Sequence, residues 1–129
     1  MNDGQSLTIF ELVGGEETFR RLVDIFYDRL AADPVVGSMF PEDLTEAKRW
    51  QYLFLVQFFG GPPVYNEERG LPRLRMRHSP FAINQAARDA WLGHMLASMD
   101  EIGIDEPMRT MMRSYFIRAS EHMMNTDTE

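Results

Sequence analysis

The chain has 129 residues, 44% of them hydrophobic and 26% charged, the size and balance of one globular domain with a core of its own. A formal net charge of −7 argues against a nucleic-acid or anionic-membrane partner, since both select basic faces, and no apolar run approaches the roughly 20 residues of a membrane span. Zero cysteines exclude disulfides and every thiolate-held metal, including iron–sulfur clusters and cysteine-ligated haem.

Residues 1–6 carry neither a basic region nor a signal-like core, so a cytoplasmic location is expected. No repeat, low-complexity stretch or linker divides the chain, and one domain over residues 1–129 is expected. Gly14-Gly15 closes a short first helix around Ile9, Phe10, Leu12 and Val13. Glu16 and Glu17 favour the positive end of a second helix, whose stripe is Phe19, Leu22, Val23, Phe26, Tyr27 and Leu30. Asp33-Pro34 reads as a cap and first-turn proline opening a short helix to Met39-Phe40.

Pro41 breaks that segment and Thr45 is expected to cap the next helix. Its inward stripe reads Ala47, Trp50, Gln51, Phe54, Leu55 and Phe58, up to the stop at Gly60-Gly61-Pro62-Pro63. Gln51 is the polar member and needs partners for both ends of its amide. Residues 64–79 read as irregular and basic, a stretch long enough to point to function or a ligand. Asn84 caps a helix through about Met99, with Ala87, Ala90, Trp91, His94 and Met95 on one side. Asp105 and Pro107 open the last helix, with Met108, Met111, Met112, Tyr115, Phe116, Ala119 and Met123 inward. No segment alternates with a period of two, so the fold class is all-α.

The irregular stretch ends in Arg73-Leu74-Arg75-Met76-Arg77-His78-Ser79-Pro80-Phe81. A histidine beside apolar residues and arginines offers what an iron porphyrin takes from a protein: an axial nitrogen, an apolar slot and cations for two propionates. Outside such a context a histidine in a basic loop is ordinarily a surface residue. His94 and His122 have no such context and read as packed or boundary side chains. No spacing of His, Asp and Glu resembles a zinc motif.

These residues resemble the truncated haemoglobins of group II over nearly the whole chain. The resemblance is carried by Gly14-Gly15, Phe26-Tyr27, Phe40-Pro41-Glu42-Asp43-Leu44, residues 57–62, the run from Arg73 to Phe81, and Asp89-Ala90-Trp91-Leu92. The histidine, with Pro80-Phe81 close behind it and Trp91 thirteen residues on, is the specific part. The resemblance implies a two-over-two helical sandwich around haem b, His78 as the metal ligand, and Tyr27, Gln51 and Trp91 around the bound gas. Phe40 matches the aromatic at the haem edge, and Ala47 falls where many other globins carry a distal histidine. Trp50 stands where some relatives have a basic residue for a propionate, and Gln51 where others have leucine. Phe54, Leu74, Phe81, Ile83 and Met95 are expected against the porphyrin. Arg75 and Arg77 are expected at the propionates, with Tyr65 as a further hydroxyl donor.

The expected activity is reversible binding of O2, CO or NO at a five-coordinate iron, in transport, storage or sensing. Oxidation of NO to nitrate or peroxidase-like chemistry would require an unidentified external reductase, since no Gly-Gly pair follows a strand or opens a phosphate-binding helix. The expected assembly is a monomer or homodimer, without nucleic-acid or membrane partners. The alternative of another class is a cofactor-free helical protein–protein interaction module. It accounts for the amphipathic helices and the ten methionines, but not for Gln51 or the basic histidine run.

Overall fold

The structure, a computed structural model, describes residues 7–126. Residues 1–6, read above as free of an export signal, lie outside the described residues. Helix α1 is one turn, Ile9–Leu12. Its start is a reciprocal cap: the Glu11 N–H donates to Thr8 Oγ1 at 3.2 Å, and the Thr8 N–H donates to the Glu11 carboxylate at 2.9 Å. Gly14 ends it with φ at +117°, and a Cβ there would lie 2.3 Å from Thr18 Oγ1.

Helix α2 (Gly15–Ala32) buries Phe19, Leu22, Val23, Phe26, Tyr27 and Leu30, the expected stripe in full. Each contributes roughly 1.5–3 kcal/mol of transfer free energy, set against the entropy of ordering the chain. The Asp33-Pro34 segment differs from expectation. Asp33 Oδ1 accepts from the Val35 N–H at 2.7 Å, a turn closed over two residues. Only a 3-10 turn follows, Gly37–Met39.

Helix α3 covers Thr45–Phe58. Thr45 is its first residue and not its cap; Asp43 Oδ1 takes the Thr45 N–H at 3.0 Å instead. Its buried residues are Leu53, Phe54, Leu55 and Val56. Phe58, expected inward, is 50% exposed, and Phe59 is buried in its place. Residues 64–79 are not irregular throughout: they form α4 (Val64–Arg69) and α5 (Leu74–His78). Both are too short for a hydrophobic period to show in sequence.

Helix α6 (Gln85–Ile102) starts where Asn84 accepts from the Ala87 N–H at 2.9 Å and buries Ala87, Met95, Ser98 and Met99. Helix α7 (Met108–Met123) buries Met112, Phe116 and Ser120. Met111, expected inward, is 52% exposed. Asp105 does not cap α7; the Glu106 carboxylate takes the Thr110 N–H at 3.0 Å and its hydroxyl at 2.7 Å.

Helix α2 packs on both α3 and α6, and α6 packs on α7. The pair α2/α3 lies over the pair α6/α7, the expected two-over-two sandwich, with no strand among the described residues. Helix α5 touches the end of α7 and closes one side of the space between the layers. No helix among the described residues is long and apolar enough to cross a membrane.

Candidate functional site

A cavity of about 350 Å³ lies between the helix layers, within the range of ligand pockets. Its lining is mostly apolar.

His78, the last residue of α5, lines this cavity. Its Nδ1 lies 2.7 Å from the carbonyl oxygen of Leu74, one turn earlier. A proton on Nδ1 donates to that oxygen and leaves the Nε2 lone pair available. This is how metal-bound histidines are ordinarily oriented, with the second ring nitrogen tied to a carbonyl or carboxylate. No cluster of three or more His, Asp or Glu residues that could hold a metal ion occurs among the described residues. A metal at this site therefore needs a carrier that brings its own ligands.

Three polar side chains from three helices line the same cavity: Tyr27 of α2, Gln51 of α3 and Trp91 of α6. The Tyr27 hydroxyl donates to the Ala47 carbonyl at 3.4 Å, a long and weak bond. Burial holds its phenol well above the ordinary value of 10, so it remains a protonated donor. The Gln51 amide and the Trp91 indole N–H have no hydrogen-bond partner among the described residues. Phe26 packs edge-on to both Tyr27 and Trp91, with ring centroids at 5.3 and 5.2 Å, and so sets the two rings relative to one buried wall. Phe40 packs edge-on to Tyr27 at 5.8 Å from the next corner.

Phe40, Ala47, Phe54, Leu74, Phe81 and Ile83 line the cavity as well. Two residues expected there do not. Met95 is fully buried in the core; it lies one turn past Trp91, about 6 Å farther along α6, beyond the cavity. Arg75 turns away and donates to the carbonyls of His122 at 2.9 Å and Met124 at 3.5 Å.

Arg77 and Tyr65 do line the cavity. Arg77 spends Nε on the Pro72 carbonyl at 2.8 Å and Nη2 on the Arg69 carbonyl at 3.5 Å, so Nη1 stays uncommitted. Arg69 is a lining cation that sequence reasoning missed. Its guanidinium donates to the Tyr65 hydroxyl at 3.1 Å and stacks 4.7 Å from the centroid of the Trp50 ring. Trp50 carries no charge and cannot form an ion pair with a carboxylate; it stacks on a cation that can. The signal was the spacing from Tyr65 to Arg69, one helical turn, legible only once α4 is known to be helical. Arg88 was also missed. It lines the cavity and ties α6 to α7 through Ser120 Oγ at 3.0 Å and the Ile117 carbonyl at 3.2 Å.

The bacterial-like globin family model matches residues 8–125. The group 2 truncated hemoglobin YjbI of Bacillus subtilis is 43% identical over 122 residues, covering 95% of this chain and 92% of that protein. The crystal structure of a hemoglobin from the thermophilic phototroph Chloroflexus aurantiacus superposes with a TM-score of 0.92 at 56% identity, covering 94% of this chain and 100% of that one. A truncated haemoglobin of Bacillus subtilis, described as oxygen-avid, superposes with a TM-score of 0.89 at 43% identity over 92% of this chain and 100% of that one.

Proposed function

Since this chain belongs to the bacterial-like globins, and within them to the group II truncated haemoglobins, we propose that it holds haem b through His78 and retains O2 by hydrogen bonds from Tyr27, Gln51 and Trp91. Membership of the family implies haem-based binding of diatomic gases. The residues present fit the group. The observation that carries the reading is the His78 Nδ1 contact with the Leu74 carbonyl, which leaves Nε2 uncommitted on a residue that lines a largely apolar cavity together with three donors.

Haem held by His78 would supply an iron able to bind a small ligand and, when ferrous, an electron for it. Phe54, Leu74, Phe81 and Ile83 would pack on the porphyrin and keep water out. Arg77 and Arg69, with the Tyr65 hydroxyl, would receive the propionates. Phe40 and Ala47 would shape the rim on the side of α3.

Tyr27, Gln51 and Trp91 would donate to a small ligand that takes on partial negative charge. A hydrogen bond contributes about 1–1.5 kcal/mol, and more where the surroundings are apolar. Two or three such bonds slow release by about one to three orders of magnitude, at ~1.4 kcal/mol per tenfold. Retention suits chemistry on the ligand or sensing better than delivery, and one relative is described as oxygen-avid. The reaction of this kind would be that of NO with O2 to give nitrate, NO + O2 + e− → NO3−. Each turnover takes one electron, which an external reductase must return.

The visible spectrum of the purified protein tests the reading. A Soret band is expected, and its loss in His78→Ala. A colourless, stably folded chain that takes up no added haem overturns it in favour of the interaction module.

A further inference from the structure

The helix that carries His78 is too short to hold itself in place. At five residues, α5 falls far below the roughly 12–15 residues at which an isolated helix is even marginal in water. It begins at Arg73, whose φ of +46° is the one left-handed non-glycine backbone among the described residues, a conformation that persists only where its surroundings impose it. What places the His78 ring must therefore come from outside the helix.

Its two ends are fastened by different parts of the chain. The start of α5 is tied to what precedes it by Arg77, which reaches back from beside His78 to the carbonyl of Pro72 in the preceding loop and of Arg69 at the end of α4. At the His78 end the ties come from the last turn of α7 and the residues beyond it, nearly fifty positions away in sequence. The Asn125 carboxamide donates to the Phe81 carbonyl at 2.7 Å and to the His78 carbonyl at 3.3 Å, and its oxygen accepts the Ile83 N–H at 2.9 Å. The Asn125 N–H donates to the Ile83 carbonyl at 3.0 Å. Alongside, Arg75 reaches from the second residue of α5 to the carbonyls of His122 and Met124.

We infer that Asn125 and Arg75 are positioning residues for His78, clamping the proximal helix and the loop after it to the C-terminal turn and so setting the iron–histidine bond. The chemistry supports that role over simple fastening of a tail. Asn125 is exposed, and an exposed amide gains little from bonding to protein instead of water. Yet this one spends three of its four hydrogen-bonding capacities on the six residues from His78 to Ile83. The ring's rotation is set within α5 by the Leu74 carbonyl; the position of α5 as a body is set by the clamp. A partner contact or sequence change at the C-terminal turn would then reach the ligand site without touching any of its donors. The inference rests on reading His78 as the axial ligand.

Three variants test it: Asn125→Ala, which removes every side-chain tie; Asn125→Asp, which keeps an acceptor for the Ile83 N–H but loses the amide donor; and Arg75→Gln. In the apoprotein, the Ile83 amide should exchange about tenfold faster or more in Asn125→Ala and stay protected in Asn125→Asp. In the ferrous haem-loaded protein, the iron–histidine stretching band should shift and broaden in all three, and the rate of CO binding should change with it, while circular dichroism keeps its helical signal. Loss of haem with helix content intact counts with the shift. If Asn125→Ala fails to fold, the other two variants carry the test. An unchanged stretching band and unchanged CO rates in the variants that bind haem overturn the inference. A colourless unmutated protein that takes up no haem removes the ligand reading itself, before any variant is made.

Discussion

Phe26 stands between Tyr27 and Trp91, with its ring edge-on to both, so the two donors share one support. Removing either hydroxyl or indole lets the others turn toward the ligand. Tyr27→Phe and Trp91→Phe should each speed O2 release by about tenfold, the loss of roughly one hydrogen bond. The double variant should exceed the product of the two, because in each single variant the remaining donors compensate for the one removed. Stopped-flow O2 release from the three variants measures the coupling; rates equal to that of the unmutated protein would take these side chains out of the mechanism. At His78 the expected outcome is coarser. His78→Ala should lose haem, while His94→Ala keeps it, because His94 Nε2 is already engaged with Asp33 at 2.5 Å. Absorbance at the Soret band after desalting reads both.

At the scale of elements, the Asp33–His94 contact joins the end of α2 to the middle of α6, beside the Arg29–Glu101 pair at 2.9 Å that joins the same helices. The hydrogen bond from His94, then the Val35 N–H, holds the Asp33 carboxyl below its ordinary value of 3.8. A depressed carboxyl contributes stability that is fully present above its unfolded value and is lost as pH falls through the folded one. The window therefore lies below about pH 4. Urea midpoints should fall more steeply with acid there for the unmutated protein than for Asp33→Asn, and should run parallel if the contact is not formed in solution. Elements were legible in proportion to their length. Helix α2 shows its whole buried stripe in sequence because 18 residues repeat the period several times. Helices α4 and α5, at six and five residues, repeat it hardly at all, and their arginines are sorted by contacts from other parts of the chain. This is why Arg75 was expected at the cavity and Arg69 was not.

At the scale of the whole molecule, a cavity of about 350 Å³ sits between two helix layers, so its occupant joins both layers and α5 into one core. A ligand that binds only the folded state stabilises it by mass action. With haem at 100 times its dissociation constant the gain is about 2.7 kcal/mol, which corresponds to a melting point raised by roughly 10 °C for a domain of this size. Calorimetry of the protein with and without haem should show that rise, and His78→Ala should abolish most of it. An equal rise in the variant would place the binding energy in the apolar walls and not in the histidine.

By itself the sequence determined the helical class, the whole buried stripe of α2, and the run around His78 that bears the resemblance to group II truncated haemoglobins. All of these are local: they follow from spacing along one helix or from near neighbours in the chain. Only the tertiary structure decided that Tyr27, Gln51 and Trp91, on three separate helices, line the cavity that His78 lines. It also decided that Arg69 and not Arg75 accompanies Arg77 there, and that Asn125 grips the loop after the histidine. Those outcomes depend on which helix faces lie across the interface and on which carbonyls are left unpaired at helix ends. Both are set by packing between residues far apart in the chain, and no period within a single helix encodes them.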